Sequence, residues 1–170
     1  MGQNETEIKK YRKAVFIVTY AKSENKIFYL LLKRKLHWVG WEFPKGGVEE
    51  KENPFEAVKR ETKEETGLKP LKIKKFNVHG KYEYRRKIPD RNGIIGQSYS
   101  LYAIEVEKKK IKFDAHEHSD FKWVPYAQAM KMLKHSNQKT CLKKVNGWLS
   151  RPPTHQKDVN NKTASISFQH

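Results

Sequence analysis

The chain has 170 residues and a formal net charge of +17, because 36 lysines and arginines oppose 19 aspartates and glutamates. This length suits one domain with its own hydrophobic core rather than two. The sequence contains no run of about 18 apolar residues, which excludes a transmembrane helix, and its polar first residues differ from a signal peptide. Cys141 is the sole cysteine, which excludes an internal disulfide bond and favours a reducing compartment, the cytoplasm.

The basic composition predicts a polyanionic partner, since positive potential raises the rate at which polyanions reach a protein. RNA, nucleotide polyphosphates and inositol polyphosphates all carry the required charge, so charge alone selects no substrate. The alternative is a soluble, lysine-rich surface that binds no polyanion. Composition identifies no protein partner.

The predicted elements in chain order begin with a flexible N-terminus, residues 1–10. Residues 13–21 and 26–33 are apolar and rich in β-formers, and the turn-like residues 22–25 between them predict an antiparallel pair. A tight glycine loop and a helix follow over residues 46–68. Further strands are predicted at residues 71–79 with a continuation or restart at 81–86, at 98–106 after a polar turn at 89–93, and at 121–124.

The last part of the sequence changes from the strand period to the helix period. Pro125 is predicted to open a helix through Leu133, and Asn137 is predicted to cap a second helix. Residues 151–170 are small and polar without periodicity, which predicts a disordered tail. Strands around one long helix, with helices at the end, indicate a mixed α+β domain.

The central helix has clear start and stop signals. Asn53 is a favourable N-cap, Pro54 fits the first helical position, and Glu56 sits where a capping-box acid belongs. Gly67 suits the left-handed residue that ends a helix. These signals predict a helix that begins at Pro54 and stops before Gly67.

Three glutamates of this helix, Glu61, Glu64 and Glu65, occupy one arc of its surface. Spacings of three and four residues bring like charges together, which weakens a helix by roughly 0.2–0.5 kcal/mol per pair. One explanation is a solvated charged face that Arg60 and neighbouring lysines balance. The other is a divalent cation, because Mg²⁺ prefers clustered carboxylates, with Glu52 as a further oxygen donor.

The stretch from residue 46 to residue 68 resembles the signature of the Nudix hydrolases. Its seven fixed positions are all present, namely Gly46, Glu52, Arg60, Glu61, Glu64, Glu65 and Gly67. The one departure is Thr62, where the family usually has an aliphatic residue in a packing position. A motif of this length with fixed spacing is specific. The resemblance implies a Nudix hydrolase domain over residues 11–150, folded as an α/β/α sandwich with a mixed β-sheet.

The resemblance also implies a metal-dependent hydrolase of phosphoanhydrides. Its cofactor would be Mg²⁺, for which Mn²⁺ can substitute, and two or more ions would neutralise the diphosphate and lower the pKa of a bound water. The implied metal ligands are Gly46, Glu61, Glu64, Glu65 and Glu117. The implied catalytic residues are Arg60, Glu64, Glu65 and Glu117, with Arg60 holding a glutamate in place by ion pairing.

The group that takes the proton of the attacking water stays open between two choices. In the family this role belongs either to a signature glutamate or to an acid from a distant loop. Glu117, six residues before Trp123, resembles that loop acid, and an ordinary exposed glutamate is the alternative. His116 and His118 are expected to be surface histidines rather than a metal pair, since no further ligand pattern accompanies them.

Two stretches near the signature resemble those of particular subgroups. Residues 41–46 resemble the lead-in of dinucleoside-tetraphosphate hydrolases and decapping-type enzymes, and residues 84–99 resemble bacterial RNA pyrophosphohydrolases and plant-type diadenosine-tetraphosphate hydrolases. The tyrosines either stack on a base or pack in the sheet, and the arginines either bind phosphates or form a solvated strand edge. The expected substrate-binding residues are Lys45, Gly46, Gly47, Tyr82, Tyr84, Arg85, Arg86, Gln97 and Tyr99.

The substrate is therefore a hypothesis with alternatives. The first hypothesis is a Mg²⁺-dependent hydrolase of dinucleoside polyphosphates, diadenosine tetraphosphate above all. The second is an enzyme that removes pyrophosphate or a cap from the 5′ end of RNA, which the basic surface favours, and a third is a hydrolase of diphosphoinositol polyphosphates. A catalytically silent, RNA-binding Nudix module is the non-enzymatic alternative, and the complete set of glutamates argues against it.

Overall fold

The computed structural model describes residues 10–156. The predicted N-terminus before residue 10 and the predicted tail after residue 156 lie outside the described residues. In chain order the elements are β1 (Lys10–Ser23), β2 (Lys26–Arg34), β3 (Gly40–Glu42), β4 (Lys45–Gly47), α1 (Pro54–Thr66), β5 (Lys72–Glu83), β6 (Ile94–Glu105), β7 (His118–Val124), α2 (Tyr126–Met132), α3 (Ser136–Leu149) and a 3-10 helix (Pro153–His155).

The seven strands found within residues 10–156 form one mixed sheet, in which the order β3-β2-β1-β6-β5 gives the main path. β1 runs parallel to β6 and antiparallel to β2, while β4 pairs with β1 and β7 pairs with β2. The hairpin between β1 and β2 turns at Glu24 and Asn25, whose positive φ angles of 51° and 61° match the twist of the flanking strands. The predicted antiparallel pair is confirmed.

Side chains of the sheet alternate between two hydrophobic clusters, one on each face. From β1, Phe16 enters the cluster that contains Leu142 of α3, whereas its neighbour Val15 enters the cluster that contains Val58 of α1. The sheet therefore lies between α1 on one face and the two C-terminal helices on the other. This is the α/β/α sandwich of the α+β class that the sequence predicts.

Both ends of α1 are capped as predicted. The Asn53 side chain accepts a hydrogen bond from the Glu56 N–H, and the Glu56 carboxylate accepts one from the Asn53 N–H, each at 2.9 Å. Gly67 ends the helix in the left-handed conformation, with φ of 68°. Thr62, the departure from the signature, is fully buried and donates its hydroxyl to the Val58 carbonyl at 2.6 Å. The caps fix where α1 begins and ends, and its buried residues, among them Val58 and Thr62, set the direction of its glutamates.

The C-terminal helices agree with the sequence except at the start of α3. α2 follows Pro125 as predicted. α3 begins at Ser136 after the N-cap His135, so the predicted cap at Asn137 is wrong. Asn137 lies within the first turn, where its side-chain oxygen accepts a hydrogen bond from the Gln138 N–H at 2.8 Å.

The chain beyond α3 turns back towards that helix. Trp148 donates its indole N–H to the Gln156 carbonyl at 3.0 Å, and the Gln156 amide donates to the Arg151 carbonyl at 2.7 Å. The first residues of the predicted tail thus contact α3 through the 3-10 helix. None of the helices in residues 10–156 is long and apolar enough to span a membrane.

Candidate active site

A cavity of about 610 Å³ opens at one end of the sheet. Its lining comes from β1, β4, α1, β5, β6 and the connection between these last two strands. The end of β2 with the loop after it, the loop before β7 and the first turn of α3 complete the lining. Eleven of the predicted site residues line it, namely Lys45, Gly46, Glu61, Glu65, Tyr82, Tyr84, Arg85, Arg86, Gln97, Tyr99 and Glu117. The three predicted residues outside the lining are Gly47, Arg60 and Glu64.

Three carboxylates form what we call the acidic wall: Glu61, Glu65 and Glu117. Glu61 and Glu65 lie one turn apart on α1 and are buried, and Glu65 accepts a hydrogen bond from the Lys45 backbone N–H at 3.2 Å. Glu65, Glu117 and His118 each offer a ligand atom, and these atoms lie within 4.8 Å of one another. This spacing allows one metal ion to contact several of these groups.

Burial in the acidic wall disfavours the charged forms of Glu61 and Glu65, and a bound cation would relieve this. Burial raises the pKa of Glu61 to about 7, against the opposing effect of Arg60. Burial raises the pKa of Glu65 well above its usual range, and the neighbouring carboxylates of Glu61, Glu42 and Glu117 raise it further. A divalent cation with oxygen ligands fits this donor set in both chemistry and charge.

The two glycines of β4 permit close approach of side chains to the backbone. A Cβ atom on Gly46 would collide with the Glu61 carboxylate, and a Cβ atom on Gly47 would collide with the Arg12 guanidinium. Glycine at both positions therefore lets an acidic and a basic side chain reach the same end of the sheet.

Arg60 holds the signature segment together from outside the cavity. It donates to Glu52 at 2.8 Å, to Glu61 at 2.9 Å and to the Gly47 carbonyl at 2.7 Å. Glu64 pairs with the same guanidinium at 3.1 Å, and its side chain is 57% exposed. The arginine thus joins α1 to the loop before it and orients Glu61.

A buried charged cluster behind the acidic wall escaped the sequence analysis. Glu42 is 1% exposed and lies 3.1 Å from Arg34, 3.2 Å from the Lys45 ammonium and 3.2 Å from the His118 ring. Burial alone would raise the pKa of Glu42, but Lys45, His118 and Arg34 offset this and lower it to about 2. Arg34 also lies 3.5 Å from Glu117, so the cluster supports the acidic wall.

The expected surface position of His118 is wrong, whereas His116 is exposed as expected. β7 begins at His118 rather than at residue 121, and His118 pairs with Arg34 of β2 inside the sheet. Its ring is therefore fully buried. A charged residue between apolar neighbours in a short strand, as in Trp41-Glu42-Phe43, is the only sequence signal of this cluster.

The predicted tyrosines interact mainly with other protein groups. Tyr99 stacks on Phe16 with the ring centroids 3.9 Å apart, and the Tyr82 hydroxyl donates to Gln97 at 2.7 Å. The Tyr84 hydroxyl accepts a hydrogen bond from an arginine of the β5–β6 connection at 2.6 Å. All three rings still line the cavity, so an aromatic surface remains next to it.

A second part of the lining is positively charged, and we call it the basic wall. Its cations come from β1, β5 and the connection between β5 and β6: Arg12, Lys81, Arg85, Arg86 and Arg91. Arg12, Lys81 and Arg91 were missed from the sequence. None of the five forms an ion pair with a carboxylate of residues 10–156. The basic wall therefore keeps its positive charge available for an anionic ligand.

An acidic wall, two of whose carboxylates come from the capped helix α1, and a basic wall share one cavity, which suits a hydrolase of phosphorus-containing acid anhydrides. The NUDIX domain family model matches residues 10–145, and the chain belongs to this family. Nudix enzymes generally use a divalent metal, which the carboxylate cluster suits. The predicted family and enzyme class are confirmed.

Curated relatives are pyrophosphohydrolases. The chain is 32% identical to the RNA pyrophosphohydrolase of a Nitratiruptor species over 126 residues, which cover 71% of this chain and 81% of that protein. It is also 32% identical to the RNA pyrophosphohydrolase of Hydrogenovibrio crunogenus over 127 residues, which cover 68% of this chain and 74% of that protein.

Solved structures share the fold. The Caenorhabditis elegans Ap4A hydrolase in a binary complex superposes with a TM-score of 0.66 at 26% identity, covering 82% of this chain and 98% of that one. The NUDIX domain of Shewanella oneidensis NrtR, complexed with ADP ribose, gives a TM-score of 0.69 at 18% identity over 88% of this chain and 95% of that chain. The second likeness shows the fold alone.

Proposed function

We propose that the protein is a Mg²⁺-dependent pyrophosphohydrolase that converts the 5′-triphosphate end of RNA to a 5′-monophosphate and releases pyrophosphate. The observation that carries this proposal is the division of one cavity into an acidic and a basic wall. The acidic wall suits a divalent cation, and the basic wall suits phosphates. A triphosphate that contacts the basic wall directly, and the acidic wall through the cation, would satisfy the charge of each.

The proposed metal ligands are Glu61, Glu65 and Glu117, with Glu64 and the Gly46 carbonyl as further donors for two or more ions. Mn²⁺ is expected to substitute for Mg²⁺. When bound, the cation neutralises phosphate charge and lowers the pKa of a water molecule.

Three contacts of the chain orient these ligands. Arg60 orients Glu61 at 2.9 Å, the Lys45 N–H orients Glu65 at 3.2 Å, and Arg34 lies beside Glu117 at 3.5 Å.

Glu117 is the proposed acceptor of the proton from the attacking water. Its side chain lines the cavity and is 35% exposed, so water reaches the carboxylate. Glu64 does not line the cavity and is held by Arg60 at 3.1 Å, and Glu65 is buried behind the Lys45 N–H. Its place in the cavity lining therefore favours Glu117 over Glu64 as the base, and its greater exposure favours it over Glu65.

RNA is the preferred substrate for two reasons. The basic wall has five cations without an ion pair in residues 10–156, which is more positive charge than the scissile diphosphate requires, and the curated relatives at 32% identity are named RNA pyrophosphohydrolases. A phosphodiester chain that follows the triphosphate supplies the additional negative charge.

A dinucleoside polyphosphate, diadenosine tetraphosphate in particular, is the second candidate substrate. The observation that favours it is the aromatic surface of Tyr82, Tyr84 and Tyr99, since rings of this kind stack on bases. The 26% identity to an Ap4A hydrolase supports it as well. Both candidates use the same acidic wall and differ in what the basic and aromatic groups bind.

A substrate panel tests the proposal. The protein is incubated with Mg²⁺ or Mn²⁺ and with triphosphorylated RNA, capped RNA, diadenosine polyphosphates or inositol pyrophosphates, and the products are identified. Release of pyrophosphate from triphosphorylated RNA is the expected result. Faster hydrolysis of a diadenosine polyphosphate would replace RNA by the second candidate. Absence of hydrolysis throughout, together with salt-sensitive RNA binding, would favour a silent RNA-binding module.

Glu65→Gln separates the metal role of Glu65 from a structural one. We expect turnover to fall by orders of magnitude. In metal-free buffer the melting temperature should stay equal or rise, because burial disfavours the charged carboxylate in the folded protein. The rise in melting temperature that Mg²⁺ or Mn²⁺ causes in the wild type should be lost. Glu107→Gln, which removes an exposed carboxylate, is the matched control. A metal-dependent rise that Glu65→Gln retains would contradict the ligand assignment.

A further inference from the structure

The C-terminal part of the domain is basic without any acidic residue. Residues 121–156 contain seven lysines and arginines and no aspartate or glutamate. Glu83 and Asp90 accompany the cations of residues 81–91, whereas residues 66–82 also contain five lysines and no acid. The seven cations of the acid-free segment are Lys122, Lys131, Lys134, Lys139, Lys143, Lys144 and Arg151.

Five of these lysines lie on α2 and α3 or between them, and we call their surface the α2–α3 face: Lys131, Lys134, Lys139, Lys143 and Lys144. Lys139 is partly exposed and the other four are exposed. None of them forms an ion pair with a carboxylate of residues 10–156. Their charge is therefore balanced only by solvent ions, which a polyanion can displace.

The packing of α3 turns the lysines outward. Leu142 and Val145 are buried in the core cluster, so the opposite side of the helix faces solvent. Lys139 and Lys143 are one turn apart on that side, with Cβ atoms about 5–6 Å apart. The 14 residues of α3 extend for about 21 Å, which makes the face long enough for several nucleotides.

The α2–α3 face is continuous with the cavity. Ser136, Asn137 and Gln138, the first turn of α3, line the same cavity as Glu65 and Glu117. This helix end has no acidic residue in its first turn, so the positive end of the helix dipole is unopposed there. Positive potential thus extends from the cavity along the outside of α3.

We propose that the α2–α3 face binds the RNA chain that follows the triphosphate end in the cavity. The inference rests on the proposed function and adds the location of the RNA body. A dinucleoside polyphosphate ends within the cavity, whereas a longer RNA places further phosphates beyond its rim, where the acid-free basic surface of residues 121–156 lies. The face should therefore contribute to the binding of long RNA and not to the binding of a short substrate.

The test compares two double variants that remove equal charge. Lys139→Gln/Lys143→Gln alters the face. Lys22→Gln/Lys26→Gln alters the β1–β2 hairpin, which lies about 30 Å along β1 from Arg12 of the cavity. Each variant is measured for hydrolysis of a long and of a two-nucleotide 5′-triphosphorylated RNA, and for binding of a fluorescent long RNA by anisotropy over a series of salt concentrations.

The face variant should raise KM for the long RNA several-fold and leave kcat and the two-nucleotide substrate unchanged. In the face variant, the slope of log affinity against log salt concentration should become less negative. The change should be about 0.7 for each lysine that contacts a phosphate. The hairpin variant should match the wild type. Equal losses in both variants, or no loss in either, would overturn the proposal.

The outcomes also separate this proposal from the proposed function. If the wild type hydrolyses neither RNA, the proposed function fails, and the anisotropy measurement still decides whether the face binds RNA. If RNA is hydrolysed and the face variant binds it with wild-type affinity and salt dependence, the proposed function stands and the face is not the RNA site.

Discussion

At the scale of single residues, Glu42 is a buried charged side chain with a large expected effect on stability. It is buried among Arg34, Lys45 and His118, and these partners keep it ionised. Glu42→Gln would remove the nearer carboxylate partner of the buried Arg34 guanidinium and leave it Glu117, which is 3.5 Å away. Removing one partner of a buried ion pair costs about 3–5 kcal/mol, so we expect a loss of this size in the free energy of unfolding measured with urea.

Glu107→Gln is the control for this loss. Glu107 is 72% exposed and pairs with Lys109 at 3.4 Å, and exposed substitutions usually change stability by less than about 0.5 kcal/mol. We also expect Glu42→Gln to lower turnover more than its stability loss explains, because Glu42 holds Arg34 and Lys45 in place beside the acidic wall. Equal urea midpoints for the two variants would contradict the role of Glu42.

The sequence predicted the residues whose spacing is local and missed those that come together only in the fold. Glu61 and Glu65 are four residues apart on one helix, so periodicity alone places them together. Arg34 and Glu42 meet because β2 and β3 pair antiparallel, and His118 joins them because β7 pairs with the other edge of β2. No single stretch of sequence contains that cluster.

At the scale of elements, the cap of α1 controls how firmly the glutamates are held. Asn53→Ala removes the side-chain acceptor of the Glu56 N–H, which is 2.9 Å away. Loss of such an N-cap costs about 1 kcal/mol, and we expect this decrease in the free energy of unfolding by urea. Glu50→Ala, an exposed residue before the helix, serves as the control. A cap variant as stable as the control would show that tertiary packing alone fixes the start of α1.

Element boundaries followed the sequence where side-chain signals are explicit. Asn53, Pro54 and Gly67 marked the ends of α1 correctly. Asparagine is a common N-cap residue, which is why Asn137 was predicted to cap α3. The helix instead starts at Ser136, after an N-cap residue, His135, that makes no side-chain cap hydrogen bond. Because α3 starts early, its first turn lies in the cavity lining. Helix propensity alone does not predict this position.

At the scale of the whole molecule, parallel pairing of β1 with β6 creates the basic wall. Arg12 pairs with Gln97 in the sheet, so a cation from the first strand lies beside the β5–β6 connection, which is some 80 residues later in the sequence. Net charge predicted a polyanionic partner but not where it binds, because charge carries no information on strand order. Strand pairing brings lysines and arginines that are far apart in the sequence together in one basic wall.

The alkylation rate of Cys141 shows whether the domain is folded. Its thiol lies in the core between the sheet and α3, and burial raises its pKa to about 12. The reactive form is the thiolate, so in the folded protein both low access and low thiolate content suppress alkylation at pH 8. We expect iodoacetamide to label Cys141 slowly without denaturant and at the rate of a free thiol in guanidinium chloride. Because Cys141 is the sole cysteine, mass spectrometry counts unfolded molecules directly. Glu42→Gln should accelerate labelling about tenfold for each 1.4 kcal/mol of stability that it loses. Fast labelling of the native wild type would contradict the packed position of α3.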